Sequence, residues 1–273
     1  MNGDGREDIL LTADSGLEAT VLFSLLQTAS AGFQIDQEAA TLIDWGWSVV
    51  GTGDFNGDGK TDVLLRGDNG AVTDWLIGPS DATIVDVPDA PFIKESGFHI
   101  IVPNDWHVVG TGDFNGDGYD DILWRSDAGT VREWLGQADG LFHGNVANLD
   151  ITVPTDWNVA GIADFNGDGY ADILWRSDAG TVRDWLGQAD GGFHGNVANL
   201  NITVPLDWRI AATGDYNGDG YADILWRDND GTLRDWLGQA NGTFVGNVAN
   251  LNFNPGENWQ VQPNPAGYGL WDY

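Results

Sequence analysis

A nine-residue loop repeated along the chain constrains the fold more than any other feature. The loop reads Asp-x-Asn-x-Asp-Gly-x-x-Asp and occurs in full four times, beginning at Asp54, Asp113, Asp164 and Asp215. A truncated copy runs from Asn2 to Asp8. After each full copy comes a run typical of a β-strand, such as DVLLR or DILWR. One supersecondary unit therefore recurs, which predicts a repeat architecture.

The residue types of the loop indicate a calcium site. Carboxylates at positions 1, 5 and 9, an amide oxygen at position 3 and the backbone carbonyl at position 7 are all hard oxygen ligands, which Ca²⁺ prefers. Gly at position 6 permits the positive φ of a sharp turn. The loop resembles the first nine positions of an EF-hand loop, but it lacks the Glu at position 12 and precedes a strand, which excludes a helical hand. A plain tight turn would not require three aspartates at fixed positions in four copies.

The predicted ligands follow from these positions. In chain order they are Asp54, Asn56, Asp58, Lys60 and Asp62; Asp113, Asn115, Asp117, Tyr119 and Asp121; Asp164, Asn166, Asp168, Tyr170 and Asp172; and Asp215, Asn217, Asp219, Tyr221 and Asp223. The truncated copy keeps Asn2, Asp4 and Asp8 but has no first aspartate, so a weak or empty fifth calcium site is expected. Asp120 is an extra carboxylate at position 8, and we expect it to face solvent.

The length of the repeat predicts a β-propeller. A Trp stands seven residues before each full loop, at intervals of 59, 51 and 51 residues, and Trp259 lies 51 residues further on. One unit contains four short β-runs, for example 157–162, 172–177, 181–188 and 195–202. Four strands in about 50 residues is the size of a propeller blade.

The two ends of the chain are complementary in phase. The chain begins after the first strand of a unit, and residues 259–262 supply an extra first strand with no loop behind it. We therefore predict one all-β domain over residues 1–273, a closed five-bladed propeller whose blades are 1–46 with 259–273, 47–105, 106–156, 157–207 and 208–258. The alternative is an arc cut from a larger propeller. Met1 occupies the place of the repeat's Phe, so targeting segments are expected to have been removed.

The composition limits the classes of binding partner and the cellular location that we expect. The chain has 42 acidic and 11 basic residues, a formal net charge of -31, which disfavours nucleic acid and anionic membranes. It has no cysteine, so metal loops are expected to replace disulfides as staples. No apolar run approaches transmembrane length. Calcium sites of this kind favour an extracellular location, secreted or at the cell surface.

These motifs resemble the FG-GAP/VCBS family of calcium-loop propeller repeats, and DFNGDGYADILWR carries the resemblance most strongly. The family occurs in integrin α-chain heads, fungal lectins and many secreted bacterial proteins. The resemblance covers essentially the whole chain and implies an extracellular binding or cell-adhesion role. It implies no particular ligand.

Residues outside the loops leave two interpretations open. Trp124, Arg125, Trp175, Arg176, Trp226 and Arg227 recur on the second strand of three units and form either packing between blades or sites for glycans. The Asn-rich segment 195–201 would add polar groups to a sugar site or be an edge strand in water. His143 and His194 are equivalent to Val245, and no nucleophile–base order is present, so we expect no enzyme.

The sequence therefore predicts a calcium-stabilised, carbohydrate-binding (lectin-like) module. The alternatives are a structural or adhesive segment of a larger secreted protein that binds protein partners, and an accessory domain of a secreted hydrolase.

Overall fold

The computed structural model describes ten segments of the chain, residues 9–14, 19–27, 33–35, 41–44, 46–77, 93–95, 99–148, 151–199, 202–250 and 253–256. Their regular elements are β-strands and three single-turn 3-10 helices, Val146–Asn148, Val197–Asn199 and Val248–Asn250. In these segments no helix is both long and apolar enough to cross a membrane. The all-β prediction is confirmed.

The strands of the described segments form five antiparallel sheets, which we number I to V in chain order. Sheet I contains β1 (Ile9–Asp14), β2 (Ala19–Gln27), β3 (Phe33–Ile35) and β4 (Thr41–Asp44). Sheet II contains β5 (Trp47–Gly53), β6 (Asp62–Gly67), β7 (Ala71–Ile77), β8 (Ile93–Glu95) and β9 (Ile100–Ile101). Sheet III contains β10 (Trp106–Gly112), β11 (Asp121–Ser126), β12 (Thr130–Gly136), β13 (Phe142–Gly144) and β14 (Ile151–Thr152).

The last two sheets repeat the pattern. Sheet IV contains β15 (Trp157–Ala163), β16 (Asp172–Ser177), β17 (Thr181–Gly187), β18 (Phe193–Gly195) and β19 (Ile202–Thr203). Sheet V contains β20 (Trp208–Gly214), β21 (Asp223–Asp228), β22 (Leu233–Gly238) and β23 (Phe244–Gly246). The first three strands of sheet IV agree to within one residue with the predicted runs 157–162, 172–177 and 181–188, and the last strand does not.

Sheets II to V share one topology. Four strands pair in chain order, and in sheets II, III and IV a short fifth strand turns back onto the third. In sheet III, Trp106 pairs with Ser126 at one end and Gly112 with Asp121 at the other, so the nine-residue loop joins the first two strands at a single end. The first strands β5, β10, β15 and β20 lie side by side, as the inner strands of propeller blades do.

Four complete four-stranded sheets in this arrangement define a propeller-like fold. In sheet I, β1 and β2 pair as the second and third strands of the other sheets do. Its predicted first strand, residues 259–262, and the truncated loop at residues 2–8 lie outside the described residues. Closure by the terminal strands and a total of five blades stay predictions.

The predicted fourth strand, residues 195–202, is corrected. The strand ends at Gly195 because the Asn196 side chain forms a local bond that replaces strand pairing: its Oδ1 accepts the N–H of Ala198 at 2.9 Å. The Asn196 Nδ2 donates to Asp184 Oδ2 at 2.9 Å. Asn199 is buried and donates from Nδ2 to Asp184 Oδ1 at 2.7 Å. These asparagines therefore satisfy a buried carboxylate and offer no polar edge for a sugar.

The hydrophobic core lies in layers between consecutive sheets. Between sheets II and III, Leu64 and Val72 pack against Ile122 and Trp124, and the same layer recurs between III and IV and between IV and V. Sheets II, III and IV are covered on both faces, which explains why second strands such as DILWR are nearly continuously apolar.

Position 2 of the loop also belongs to this core. In the first three complete loops its aromatic ring is fully buried and meets a Phe of the next sheet edge-on, in the pairs Phe55–Phe142, Phe114–Phe193 and Phe165–Phe244, with centroids 5.2–5.4 Å apart. Loops II, III and IV are thus each anchored to two sheets, whereas Tyr216, the position-2 residue of the last loop, is 50% exposed.

Candidate functional site

The first aspartate of each loop gathers the loop around its own carboxylate. In loop III (Asp113–Asp121), Asp113 Oδ1 accepts the backbone N–H groups of Gly116 at 2.6 Å and Asp117 at 3.1 Å, and Oδ2 accepts that of Gly118 at 2.8 Å. Loops IV (Asp164–Asp172) and V (Asp215–Asp223) repeat all three bonds. Loop II (Asp54–Asp62) keeps the bonds from Asp58 and Gly59. The local fold therefore fixes the position-1 carboxylate with main-chain donors.

Positions 3 and 5 are bonded to each other. In loop III, Asn115 Oδ1 accepts the N–H of Asp117 at 2.9 Å, Asn115 Nδ2 donates to Asp117 Oδ2 at 3.0 Å, and Asp117 Oδ1 accepts the N–H of Tyr119 at 3.0 Å. Across the described segments, no three Asp, Glu or His side chains are already gathered as a metal-binding group. A cation entering the loop would have to replace the Asn–Asp bond.

The aspartate at position 9 joins the loop to the third strand by hydrogen bonds, in addition to being a predicted ligand. Asp121 is fully buried, its Oδ2 accepts the N–H of Phe114 at 2.9 Å, and its Oδ1 accepts the N–H of Gly136 in β12 at 2.8 Å. Asp172 and Asp223 make the same two bonds. Gly136 is required there because a Cβ would collide with the carbonyl of Asp120. A carboxylate has about four lone-pair sites, so these bonds leave capacity for a cation.

The electrostatics of the loops favour a positive ligand. Burial raises the pKa of Asp121 to about 9, with the neighbouring Glu133 adding to the shift. Burial raises the pKa of Asp172 to about 8, and the charges of Asp164 and Asp168 raise it further. Burial also raises the pKa of Asp54, Asp113 and Asp164. In loop V, by contrast, the N–H of Gly220 holds the pKa of Asp215 below its ordinary value. Raised values mark carboxylates that lack a compensating charge.

The residues present fit a calcium ion. The position-6 glycines, Gly59, Gly118, Gly169 and Gly220, have φ between +82° and +89°, which confirms the predicted turn. A Cβ on any of them would meet nothing within 4 Å, so backbone conformation explains these glycines and crowding does not. Within the described segments no backbone N–H donates to the carbonyls of Lys60, Tyr119, Tyr170 or Tyr221, the predicted position-7 ligands. The donor set is all oxygen, as calcium requires. Asn2, Asp4 and Asp8 lie outside the described residues.

The prediction that Asp120 faces solvent is wrong. Its side chain turns toward loop II, where Oδ2 accepts the N–H of Asp54 at 2.8 Å. It packs so closely on β5 that a Cβ on Gly53 would lie 2.6 Å from Oδ2. Burial raises the pKa of Asp120 to about 6, and the charges of Asp113 and Asp54 contribute to this shift. A position-8 side chain points at the preceding sheet, a direction that sequence spacing does not reveal.

The structure places the second-strand Trp and Arg residues between the sheets. Trp124, Trp175 and Trp226 are each 1% exposed. Each indole is covered by the second-strand Arg of the preceding sheet at 5.4–5.5 Å, in the pairs Arg66–Trp124, Arg125–Trp175 and Arg176–Trp226. Arg227 is buried and donates to the carbonyl of Gly256 at 3.3 Å. The glycan interpretation of Trp124, Arg125, Trp175, Arg176, Trp226 and Arg227 is therefore corrected to packing.

A second aromatic set is better placed for binding. We call Trp106–Arg132, Trp157–Arg183 and Trp208–Arg234 the Trp–Arg pairs; each guanidinium lies 4.8–5.2 Å from the indole centroid. The three indoles are half-buried, and Arg132 is exposed. They lie at the end of the sheets opposite the loops, because each Trp begins a first strand. Their recurrence at 51-residue intervals was the sequence signal.

Fold and loops together define a propeller-like repeat protein with one acidic, oxygen-lined loop in each complete sheet. The family model for the FG-GAP-like repeat matches residues 1–92, 113–175 and 164–226, so the chain belongs to this family. A search of curated protein sequences gives no match. Among solved structures, the chain is similar to AofleA from Arthrobotrys oligospora, with 11% identity and a TM-score of 0.49 over 89% of this chain and 69% of that one. That likeness is too weak to carry an argument.

Proposed function

We propose that this chain is a calcium-stabilised, non-catalytic binding module that works outside the cell and takes carbohydrate as its ligand. The Trp–Arg pairs carry the ligand half of this proposal, because three equivalent pairs recur at the same end of sheets III, IV and V. An indole offers an apolar face to sugar C–H groups, and a guanidinium donates to hydroxyl oxygens. Three weak sites would gain by avidity on a surface carrying many glycans.

The loops support the calcium half of the proposal. Bound calcium would neutralise the carboxylates at positions 1, 5 and 9 and hold them with the Asn oxygen and the position-7 carbonyl. Four ions add eight positive charges, so the formal net charge of -31 would fall to roughly -23. Cytosolic free calcium is too scarce to fill loops of sensor-like affinity, about 1–10 μM, which supports an extracellular location.

A glycan array in millimolar calcium tests the ligand. We expect binding to one sugar class, and titration of that sugar should give a stoichiometry of three. Arg183→Ala should reduce the stoichiometry to two without changing the melting temperature by more than a few degrees. Arg209→Ala is the matched control, since Arg209 is exposed on the neighbouring first strand and belongs to none of the Trp–Arg pairs.

Two results would contradict the carbohydrate proposal. One is an array with no signal above background for calcium-loaded protein. The other is equal weakening by Arg183→Ala and Arg209→Ala, which would place any sugar away from the Trp–Arg pairs.

An adhesive role with a protein partner is the second candidate, and exposed valines favour it. Val146, Val197 and Val248 occupy the same position in three repeats and are about 80% exposed. Repeated apolar residues in solvent are typical of contact surfaces. If binding to cells survives enzymatic removal of their glycans and is lost when the three valines are changed to serine, the protein partner replaces the carbohydrate.

We also propose that the terminal strands close a five-bladed ring. The register of sheet III would place Gln260 opposite Thr12, as His107 lies opposite Arg125. Because the chain has no cysteine, Thr12→Cys with Gln260→Cys should form a single disulfide under mild oxidation. The off-register pair Thr12→Cys with Pro263→Cys should not. Equal cross-linking of both pairs, or of neither, would contradict closure in this register.

A further inference from the structure

The calcium loops are in contact with one another. A backbone bond joins each loop to the one before it: Asp120 N–H donates to Asp54 O at 2.9 Å, Ala171 N–H to Asp113 O at 2.8 Å, and Ala222 N–H to Asp164 O at 2.8 Å. Donor and acceptor are always position 8 of one loop and position 1 of the preceding loop. The four loops therefore form a continuous chain along one end of the sheets.

The position-7 residue makes a second contact at each junction. A Cβ on Gly57, Gly116 or Gly167 would lie 2.5–2.7 Å from the ring of Tyr119, Tyr170 or Tyr221, so position 4 must be glycine for the ring to pack there. Gly116 and Gly167 also donate their N–H to the position-1 carboxylate of their own loop. The side chain of a predicted ligand residue in one loop thus packs against the position-4 glycine of the preceding loop.

The junction between loops II and III has an additional side-chain bond, which we call the clamp. Asp120 places its carboxylate on the N–H of Asp54, the first residue of loop II, at 2.8 Å. The equivalent residues at the next two junctions are Ala171 and Ala222, which have no side-chain acceptor. Among these three junctions, only this one has a side-chain bond between position 8 and the preceding loop.

We propose that the four loops bind calcium as coupled sites and that Asp120 is a positioning residue that strengthens the coupling between loops II and III. This inference rests on the proposed calcium binding. A filled loop fixes its position-1 residue, whose main-chain carbonyl accepts a bond from the next loop, and its position-7 residue, whose side chain packs on position 4 of the preceding loop. The neighbour then loses less conformational freedom when it binds, and the coupling is reciprocal.

Calorimetric titration of the calcium-free, full-length protein tests the coupling. Asp117→Asn removes a carboxylate from loop III, which has neighbours on both sides, and Asp219→Asn makes the same charge change in loop V, the last loop of the described chain. We expect Asp117→Asn to weaken the remaining sites about 5- to 30-fold, the range of a modest coupling, and Asp219→Asn to weaken them less. Circular dichroism in saturating calcium checks that both variants fold.

A second pair of variants tests the clamp. Asp120→Ala removes the acceptor for the Asp54 N–H, whereas Asp120→Asn keeps an acceptor oxygen and removes the charge. We expect Asp120→Ala to make the calcium-binding curve less steep than that of the wild type. Asp120→Asn should keep most of the steepness of that curve. Ala171→Asp should create a clamp between loops III and IV and steepen the curve. If Asp120→Asn and Asp120→Ala behave alike, the effect is one of charge and the clamp is overturned.

Failures of the two proposals are distinguishable. A wild-type protein that binds no calcium overturns both. A wild-type protein that binds calcium, with Asp117→Asn losing one site while the others keep their affinity, overturns the coupling and leaves the calcium proposal standing.

Discussion

The two ends of each sheet are built differently. At the loop end, sheets III, IV and V repeat the same main-chain bonds to the aspartates of positions 1 and 9. Sheet II shows the difference between the two ends: at the loop end it keeps the bonds from Asp58 and Gly59 to Asp54, whereas at the opposite end it lacks the Trp–Arg pair that sheets III, IV and V share. It has Thr73 where the pairs have Arg, and Trp47 lies tilted against His99 at 6.4 Å instead. Uniform bonding indicates a role in holding the sheets together, and variation indicates freedom to adjust a binding surface.

Removal of calcium should have the largest effect, and it acts on the loop end. A site with a dissociation constant of about 10 μM in about 1 mM calcium stabilises the fold by roughly 2.7 kcal/mol, and four independent sites by roughly 11 kcal/mol. Excess EDTA should therefore lower the melting temperature by tens of degrees, on the order of the whole stability of a domain. Differential scanning calorimetry with and without EDTA measures this. Identical melting temperatures with and without EDTA would mean that the loops are tight turns that bind no stabilising calcium.

Truncation of a buried indole should have the next largest effect. Trp175 is 1% exposed and packs between Arg125 and Trp185, so Trp175→Ala should cost about 3–5 kcal/mol in the free energy of unfolding. Trp157, half-buried at the opposite end of the sheets, is the control, and Trp157→Ala should cost clearly less. Urea unfolding in saturating calcium gives both values. Equal costs would remove the distinction between a packing indole and a binding indole.

The sequence predicted the loops better than it predicted the surroundings of the loops. Spacing alone identified the repeat, the second strands and the positive φ of Gly118, because these depend on residues within one unit. Asp120 was misplaced because its partner Asp54 belongs to the preceding loop, 66 residues away in the chain. For Trp175 the sequence left packing and glycan binding open, because the Arg125 that covers its indole also belongs to the preceding sheet. The fourth strand was extended too far because the Asn196 side chain competes with strand pairing through a local bond to Ala198.

Loss of a position-9 aspartate should be costly even without calcium. Asp172→Ala would leave the N–H groups of Phe165 and Gly187 buried without their acceptor, at about 1–3 kcal/mol each. Asp168→Ala, at exposed position 5, should cost about 0.5 kcal/mol in the same buffer. Urea unfolding in excess EDTA compares the two. If Asp168→Ala is as destabilising as Asp172→Ala, position 9 has no structural role beyond the metal.

A smaller effect concerns pH, and its sign should depend on calcium. Burial is the main cause that raises the pKa of Asp120 to about 6, of Asp172 to about 8 and of Asp121 to about 9, against an ordinary value of 3.8 in the unfolded chain. Between pH 4 and pH 8 the calcium-free folded state therefore binds more protons than the unfolded state. Its stability should fall as pH rises through this window.

Melting temperatures in EDTA should accordingly rise by several degrees when the pH is lowered from 8 to 5. In saturating calcium the slope should reverse, since protons compete with the cation for the same carboxylates. The variant Asp120→Asn should reduce the calcium-free slope near pH 6 and leave the slope near pH 8 unchanged. Parallel slopes with and without calcium would mean that the loop carboxylates do not bind the ion, and the two ends of the sheets would then differ only in packing.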